Sequence, residues 1–240
     1  PPDPHKFAVI INGTDWERYW NDCSAIYNTL IQVYGFTKEN IFVHYDEGTS
    51  FKGSDFDDPN NPSDDIDYNA HKSTIHKTFQ ELAGETNTMP EIPELGPEDQ
   101  LFVYVTDHGD VNGNNSYILL CPNTVWEELY DYELADYVKN IKCAQMIYVM
   151  EQCFSGGFVD DMMDFTTYNV QCKNRSIHTA ANAVESSWAE LHISGGKYDE
   201  FVFYWTAAAR GYYPSVSSTI QPWLTSYATG SFPFQNYPAL

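Results

Sequence analysis

Two apolar runs without polar alternation constrain the fold of this chain more than any other feature. Residues 101–106 and 145–150 consist mainly of β-branched, aromatic and aliphatic residues. Runs of about six such residues are typical of strands that are buried on both faces, as the central strands of a parallel sheet are. The sequence therefore predicts an α/β fold in which these two strands lie near the centre of the sheet.

Each of the two runs is followed by a residue that can take part in acid–base or nucleophilic chemistry. His108 follows the first run, and Cys153 follows the second. Ligands of parallel sheets bind beyond the carboxyl ends of the strands, so both side chains are expected at the same edge. A thiolate is a strong nucleophile, and a nearby imidazole can protonate the leaving group. Gly109 leaves its backbone N–H open to a developing oxyanion.

A structural role is the alternative for each of these residues alone. Cys153 is then a buried thiol, and His108 is a loop histidine with satisfied hydrogen bonds. Their shared position at the ends of two apolar strands, each with glycine close by, favours a catalytic Cys–His dyad.

The residues around His108 and Cys153 resemble the catalytic motifs of the legumain family, a branch of the caspase-like cysteine peptidases. The similarity lies in Val-Thr-Asp-His-Gly at 105–109 and Glu-Gln-Cys-Phe-Ser-Gly-Gly at 151–157, and it extends over residues 7 to 210. The chain looks most similar to bacterial members. The resemblance implies a caspase-hemoglobinase-like three-layer sandwich with a central, mostly parallel sheet of about six strands, and cysteine endopeptidase activity.

The same resemblance implies a pocket for the P1 side chain of a peptide. By motif position it is formed by Arg18, Ser186, Ser187 and Asp199. Glu151 is expected to be a structural acid or an acid of a substrate subsite, not a catalytic group. Arg18 and Asp199 together hold both ends of a carboxamide dipole, so P1 Asn is expected first and a basic residue second. The alternatives are an exposed helix residue for Arg18 and a helix N-cap for Asp199.

The legumain family also has an asparagine near the end of the first strand that orients the catalytic histidine. The alignment is loose at this point and offers Asn12 or Asp15 for the role. Asp107 is expected to organise the loop that carries His108.

An acidic stretch follows the second predicted strand. Between residues 53 and 67 it contains six aspartates: Asp55, Asp57, Asp58, Asp64, Asp65 and Asp67. Hard cations prefer carboxylate and carbonyl oxygens, so the stretch predicts a structural calcium ion, although it lacks the glycine and terminal glutamate of an EF-hand loop. The alternative is a solvated acidic loop. The peptidase chemistry itself requires no cofactor.

The net charge of −22 excludes several classes of partner. With 34 acidic and 12 basic residues, the chain repels nucleic acids and anionic membrane surfaces. It has no apolar run of about 18 residues, so no membrane insertion is expected. A peptide or protein substrate remains as the expected partner.

The 240 residues are enough for one α/β domain with a complete core. We expect a single peptidase domain over residues 1–240, with its core at 7–210 and a C-terminal extension, 211–240, packed on it. Other predicted strands lie at 7–11, 41–45, 117–122 and 176–181. Predicted helices lie at 15–34, with Asp15 as the N-cap, and at 70–83, 126–139, 159–164 and 198–210.

The five cysteines are an odd number without metal-ligand spacing, which argues against a dense disulfide framework. The chain starts without Met or a signal peptide, so we expect a fragment or a processed form. Separately, we expect a secreted, periplasmic or cell-surface location and a monomer. Two functions compete with hydrolysis. One is a transpeptidase or ligase that uses the same acyl-enzyme, and the other is a catalytically silent calcium-binding module.

Overall fold

The central sheet of the protein is parallel and five-stranded in the part of the chain that the structure describes. The structure is a computed structural model, and it describes residues 3, 5–49, 51–53, 55–57, 65–120, 126–191 and 194–211. Strands are numbered along the chain, and the order in this sheet is β2-β1-β3-β7-β8. These strands are β1 (Lys6–Asn12), β2 (Ile41–Tyr45), β3 (Gln100–Thr106), β7 (Gln145–Met150) and β8 (Arg175–Thr179).

A second, antiparallel sheet follows His108 directly. It consists of β4 (Gly109–Asn112), β5 (Asn115–Leu120) and β6 (Glu127–Tyr130). The turn between β4 and β5 contains Gly113 at φ +66°, a conformation that glycine adopts without steric cost.

Helices cover both faces of the central sheet. They are α1 (Glu17–Gln32), α2 (Lys72–Leu82), α3 (Asp131–Val138), α4 (Phe158–Met162) and α5 (Glu200–Ala209). Apolar residues of α2, α3 and α4 pack with alternate residues of β1, β3 and β7 in one core cluster. Residues of α1 and α5 pack with the other alternate residues in a second cluster. The protein is therefore a three-layer α/β sandwich, as the family resemblance implies.

The burial of β1 explains why its sequence shows no polar alternation. Val9 and Ile11 belong to the cluster under α2 and α3, whereas Ala8 and Ile10 belong to the cluster under α1 and α5. Because a strand directs successive side chains to opposite faces, a strand between two helical layers needs apolar residues at every position.

The structure corrects two local predictions. Helix α1 begins at Glu17 after Trp16, so Asp15 is not its N-cap. The predicted helix at 126–139 begins only at Asp131, because β6 pairs with β5 and because the carboxylate of Glu133 accepts a hydrogen bond from the N–H of Tyr130, at 3.0 Å.

The predicted C-terminal extension lies outside the described residues, Gly211 excepted. Among the helices of the described residues, none combines the length and the hydropathy needed to cross a bilayer.

We predict that Phe79→Ala destabilises the protein by about 3–5 kcal/mol, because the Phe79 ring is fully buried under the sheet and its removal leaves a cavity. The measurement is urea unfolding followed by circular dichroism. Lys77→Ala, at an exposed position of the same helix, is the matched control and should change the stability by less than about 0.5 kcal/mol. Equal losses in both variants would contradict the placement of α2.

Candidate active site

The pairing of β3 with β7 brings the two reactive residues to one edge of the sheet. Val105 and Met150 are partners in a parallel register, and the N–H of Glu151 donates to the carbonyl of Val105 at 2.8 Å. The two strands therefore end at the same position along the sheet. His108 and Cys153 consequently emerge side by side at the carboxyl ends of neighbouring strands.

Gly109 allows the loop after β3 to touch the loop after β7. A Cβ atom at this position would overlap the carbonyl oxygen of Cys153 and would lie 2.9 Å from Cγ of Gln152. Only glycine fits without a shift of one backbone against the other. This close approach fixes the backbone that carries His108 against the backbone that carries Cys153.

Both loops contain a backbone conformation that is rare for residues other than glycine. Asp107 has φ +151° and Phe154 has φ +58°. Such conformations cost free energy, and they cluster at sites where the geometry of a neighbouring residue matters. Each of these residues is the direct neighbour of a functional residue in the chain. Asp107 precedes His108, and Phe154 follows Cys153.

The carboxylate of Asp107 accepts hydrogen bonds from residues of the loops near His108. Its Oδ1 accepts hydrogen bonds from the N–H of His108 at 2.5 Å and from the hydroxyl of Thr14 at 3.3 Å. Burial raises the pKa of Asp107 to about 8. These contacts fit the expectation that Asp107 organises the loop.

Aromatic rings surround the imidazole of His108. The ring centroids of Trp16 and Tyr19 lie 5.0 and 5.7 Å from that of His108, and both rings are nearly perpendicular to it. Burial, and second the charge of Arg18, lower the pKa of His108, so the neutral imidazole is favoured. A neutral imidazole can accept a proton from a thiol.

The asparagine expected to orient His108 has other described contacts. The side-chain amide of Asn12 donates to the carbonyl of Thr14 at 2.5 Å. The hydroxyl of Tyr45 donates to the carboxylate of Asp15 at 3.4 Å.

The contact of Trp16 with His108 could not be predicted from the sequence, because no sequence pattern distinguishes a tryptophan at the start of a helix from a surface residue.

The thiol of Cys153 is half-buried beside Ser187. Its sulfur lies 3.6 Å from the hydroxyl oxygen and 3.7 Å from the carbonyl oxygen of Ser187. The N–H of Phe154 donates to the carbonyl of Glu185 at 2.8 Å, which holds the segment around Ser187 along the cysteine loop. Ser186, the other predicted pocket serine, is exposed.

A cavity of about 260 Å³ is lined by several of the residues described above. His108 and Cys153 line it together with Arg18, Ser187 and Asp199. Two of its other lining side chains, Trp188 and Leu191, are 71% and 67% exposed and form an apolar rim. Four predicted site residues, His108, Arg18, Ser187 and Asp199, thus line the same cavity as Cys153.

An ion pair lies in the wall of this cavity. Nε of Arg18 lies 2.9 Å from Oδ1 of Asp199, although its N–H does not point at the oxygen, and Nη2 donates to the hydroxyl of Tyr19 at 3.0 Å. Burial raises the pKa of Asp199 to about 6, against the opposing effect of Arg18. Asp199 also occupies the N-cap position of α5, but its side chain makes no capping hydrogen bond.

Two further acids lie buried behind the ion pair. Both oxygens of Asp22 accept from the N–H of Asp199, at 3.1 and 3.3 Å. Among the described residues, none donates a hydrogen bond of ordinary geometry to either oxygen of Glu151. Burial first, and the charge of Asp199 second, raise the pKa of both groups. Glu151, predicted to bind substrate, is almost completely buried and does not line the cavity.

A larger cavity of about 450 Å³ lies elsewhere, between α1, α5 and the amino ends of the strands. Its lining includes Leu30, Phe102 and Trp205, and it contains neither His108 nor Cys153. Volume alone therefore does not locate the chemistry, and the smaller cavity is the candidate active site.

Comparison with known proteins assigns the chain to a family. The sequence matches the model of the peptidase C13 family over residues 6–212. The chain belongs to the peptidase C13 family. The legumain-family resemblance of its sequence is thereby confirmed.

The relatives of this C13-family chain are distant. It is 28% identical over 208 residues to a vacuolar-processing enzyme of Phaseolus vulgaris, an alignment that covers 76% of this chain and 38% of that protein. It is 26% identical over 207 residues to legumain of Homo sapiens, with coverages of 77% and 44%. It is 25% identical over 204 residues to hemoglobinase of Schistosoma japonicum, with coverages of 78% and 45%. The chain spans less than half the length of these relatives, and a special likeness to bacterial members stays a prediction.

The predicted calcium site of this C13-family chain lies away from the cavity. Oxygens of Asp55, Asp57 and Asp65 lie within 4.8 Å of one another. Asp55 and Asp65 share the N–H of Phe56, at 2.8 and 3.1 Å, and Oδ2 of the buried Asp55 has no hydrogen-bond partner among the described residues. Burial, and second Asp65, raise the pKa of Asp55 to about 7.

The other members of the predicted set differ in their placement. Asp67 accepts a hydrogen bond from the N–H of Val43 at 2.8 Å, and Asp58 and Asp64 lie outside the described residues. The ammonium of Lys38 lies 2.5 Å from Asp57 and 3.8 Å from Asp65, so a lysine already supplies part of the positive charge. The three clustered carboxylates fit a hard cation, and calcium stays a prediction.

We predict that the protein unfolds less readily at pH 5 than at pH 8. Asp22, Asp107, Glu151 and Asp199 have raised pKa values in the folded state, so their stabilising contribution is complete below the unfolded pKa near 4 and is lost as the pH rises through the folded pKa. Buried His44, whose pKa is lowered to about 4, and half-buried His108, whose pKa is also lowered, oppose this trend, but the four acids outnumber them. The measurement is urea unfolding at both pH values.

Asp22→Asn isolates one of these carboxyls. The amide oxygen still accepts from the N–H of Asp199, and the buried charge is absent, so the variant should be more stable than the parent at pH 8 and similar to it at pH 5. The exposed Glu98→Gln serves as the control. A destabilised Asp22→Asn at pH 8 would contradict this electrostatic account.

We predict that excess chelator lowers the melting temperature if calcium occupies the acidic cluster. Added Ca²⁺ should restore it and Mg²⁺ should do so poorly, because binding stabilises the folded state by mass action and Mg²⁺ demands a stricter geometry. Asp55→Asn should remove the response. A melting curve unchanged by chelator, in protein shown to be free of metal, would leave a solvated acidic loop.

Proposed function

We propose that this chain is a cysteine endopeptidase in which Cys153 is the nucleophile and His108 is the acid–base group. The observation that carries the proposal is the single cavity that both side chains line, next to the contact of Gly109 with the Cys153 backbone. Membership of the C13 family supports the reaction type.

The proposed reaction begins with proton transfer from the thiol of Cys153 to the neutral imidazole of His108. The thiolate then attacks the carbonyl carbon of the scissile peptide bond, and the negative charge passes to the carbonyl oxygen. The N–H of Gly109 is the proposed donor to this oxyanion. His108 gives its proton to the departing amine, which leaves an acyl-enzyme.

Water completes the proposed cycle. His108, neutral again, takes a proton from water, and the resulting hydroxide attacks the thioester carbon. The carboxylic acid product leaves, and the thiol of Cys153 recovers its proton. The lowered pKa of His108 suits both steps in which it acts as a base, the deprotonation of the thiol and that of water, because the imidazole is neutral before each of them.

The ion pair of Arg18 with Asp199 supports a neutral polar P1 residue. The two charges largely cancel, so an additional charged group in the cavity meets attraction from one partner and repulsion from the other. A carboxamide presents an acceptor to the guanidinium and a donor to the carboxylate. P1 Asn therefore fits best, and the hydroxyl of Ser187 adds a neutral polar wall beside the nucleophile.

The apolar rim suits the remainder of a peptide. Trp188 and Leu191 are exposed next to the ion pair, and Trp16, which contacts the ring of His108, is 52% exposed. Exposed apolar side chains around a polar depression are typical of a surface that a ligand covers. We propose that the residues flanking P1 pack on this rim.

We predict that Cys153→Ala and His108→Ala each lower kcat for peptide hydrolysis by at least about 10³-fold, because acylation needs the thiolate and departure of the amine needs a proton donor. The assay is release of a fluorophore from a peptide with P1 Asn. Cys143→Ala replaces a thiol that lies elsewhere and is the matched control. Substantial turnover by purified, folded Cys153→Ala protein would end the peptidase proposal.

We predict cleavage after Asn first, after Arg or Lys second, and after Asp only when the pH falls below about 6 and protonates Asp199. Arg18→Ala and Asp199→Asn should each lose the preference for Asn, and Asp199→Asn should accept P1 Asp at neutral pH. Matched peptides with P1 Asn, Arg and Asp measure the three rates.

Lys142→Ala, at an exposed cation away from the cavity, controls for the loss of positive charge. An Asp199→Asn enzyme with an unaltered P1 profile would show that the pocket lies at other residues, without affecting the assignment of Cys153.

A further inference from the structure

Two thiols face each other at the amino ends of β7 and β8, at the opposite edge of the sheet from Cys153. Met146 and Arg175 are register partners in this parallel pair. Cys143 lies three positions before Met146, and Cys172 lies three positions before Arg175. The same register therefore places the two cysteines opposite each other. The two segments remain together before the strands begin, because the side chain of Asn174 donates to the carbonyl of Ala144 at 3.1 Å.

The two cysteines share one core. Cys172 is fully buried in the core cluster under α3 and α4, and the half-buried Cys143 packs against that cluster. Each thiol shifts the pKa of the other. Neighbouring strands lie about 4.8 Å apart, which falls within the range of Cα separations that a disulfide spans. A bond between the two sulfurs therefore needs little movement of the backbone.

A buried arginine lies next to this pair. Arg175 donates to the carbonyls of Cys172 and Met162 at 2.8 and 2.9 Å. The hydrogen bond from Cys143, and then the charge of Arg175, lower the pKa of Cys172 to about 7. The thiol pair thus carries a negative charge near neutral pH, and a thiolate is the form that attacks a disulfide. The proposed peptidase reaction uses neither thiol.

We infer that Cys143 and Cys172 are a modification site, at which a small-molecule disulfide such as oxidised glutathione introduces an intramolecular disulfide. Cys143, the more accessible sulfur, attacks one sulfur of glutathione disulfide as its proton passes to the Cys172 thiolate. This step forms a mixed disulfide and releases glutathione thiolate.

The second step closes the protein disulfide. Cys172 loses its proton and attacks the Cys143 sulfur, which breaks the mixed disulfide and releases a second glutathione. The two protein sulfurs are oxidised to a disulfide, and one glutathione disulfide is reduced to one glutathione thiolate and one glutathione thiol, which takes the single proton that the cysteine pair held.

The cross-link would tie the edge strand β8 to β7 and close the chain segment that carries Cys153 and α4. A disulfide that closes a loop of this size restricts the unfolded chain and stabilises the folded state. In an oxidising compartment, such as the secreted or cell-surface location expected for this chain, the bond would persist. Cys23 is no competitor, since it is buried in the core on the other face of the sheet.

The test uses the full chain with Cys153→Ala, so that glutathione cannot react at the proposed nucleophile and the result is independent of peptidase activity. The protein is incubated with oxidised glutathione at pH 7.5, alkylated, and digested without reduction by a protease that cleaves after Glu151. The expected product is a peptide pair joined through Cys143 and Cys172. The melting temperature should rise by on the order of 5–10 °C and return on reduction.

Two variants in the same background complete the experiment. Cys172→Ala lacks both the proton acceptor and the resolving thiol, so it should take up glutathione at Cys143 more slowly than the parent reacts and show no rise in melting temperature, and Cys143→Ser should form no cross-link. Cys23→Ala is the control and should behave as the parent. Absence of the Cys143–Cys172 peptide pair in the folded parent, or a pairing of Cys143 with another cysteine, would overturn the inference.

Discussion

The close approach of Gly109 to the carbonyl of Cys153 is the contact on which the candidate active site depends. The parallel pairing of β3 with β7 brings the two loops to one edge, but pairing alone leaves their distance open. The missing side chain at Gly109 lets the two backbones touch, and the rare conformations of Asp107 and Phe154 direct the chain on either side. A larger residue at this point would separate the imidazole from the thiol without changing either of them.

Electrostatics then determine what the cavity can accept. The charge of Arg18 is balanced by Asp199, and Asp22 and Glu151 lie buried directly behind this pair. Four ionisable groups in a small, poorly hydrated volume cannot all be charged without a large cost, so the acids take up protons more readily than acids in water. The same groups therefore connect the proposed P1 preference with the predicted pH dependence of stability.

The sequence allowed the central layers to be predicted, because strands buried on both faces have a distinctive apolar pattern. β2 and β7 were predicted with their observed bounds, and the positions of His108 and Cys153 at one sheet edge followed from the strand ends alone. The start of α3 was not predictable in this way, since β6 exists only through its pairing with β5. Local sequence patterns contain no information about such a non-local pairing. The ring contact of Trp16 with His108 and the burial of Glu151 were inaccessible for the same reason.

The most direct test of the central claim is the rate at which iodoacetamide modifies each cysteine of the native protein, followed by peptide mass spectrometry alongside peptidase activity. The account predicts that Cys153 is alkylated first, that activity falls in proportion to its modification, and that His108→Ala slows this alkylation, because the imidazole no longer takes the thiol proton. Full peptidase activity in protein whose Cys153 is completely alkylated would contradict it.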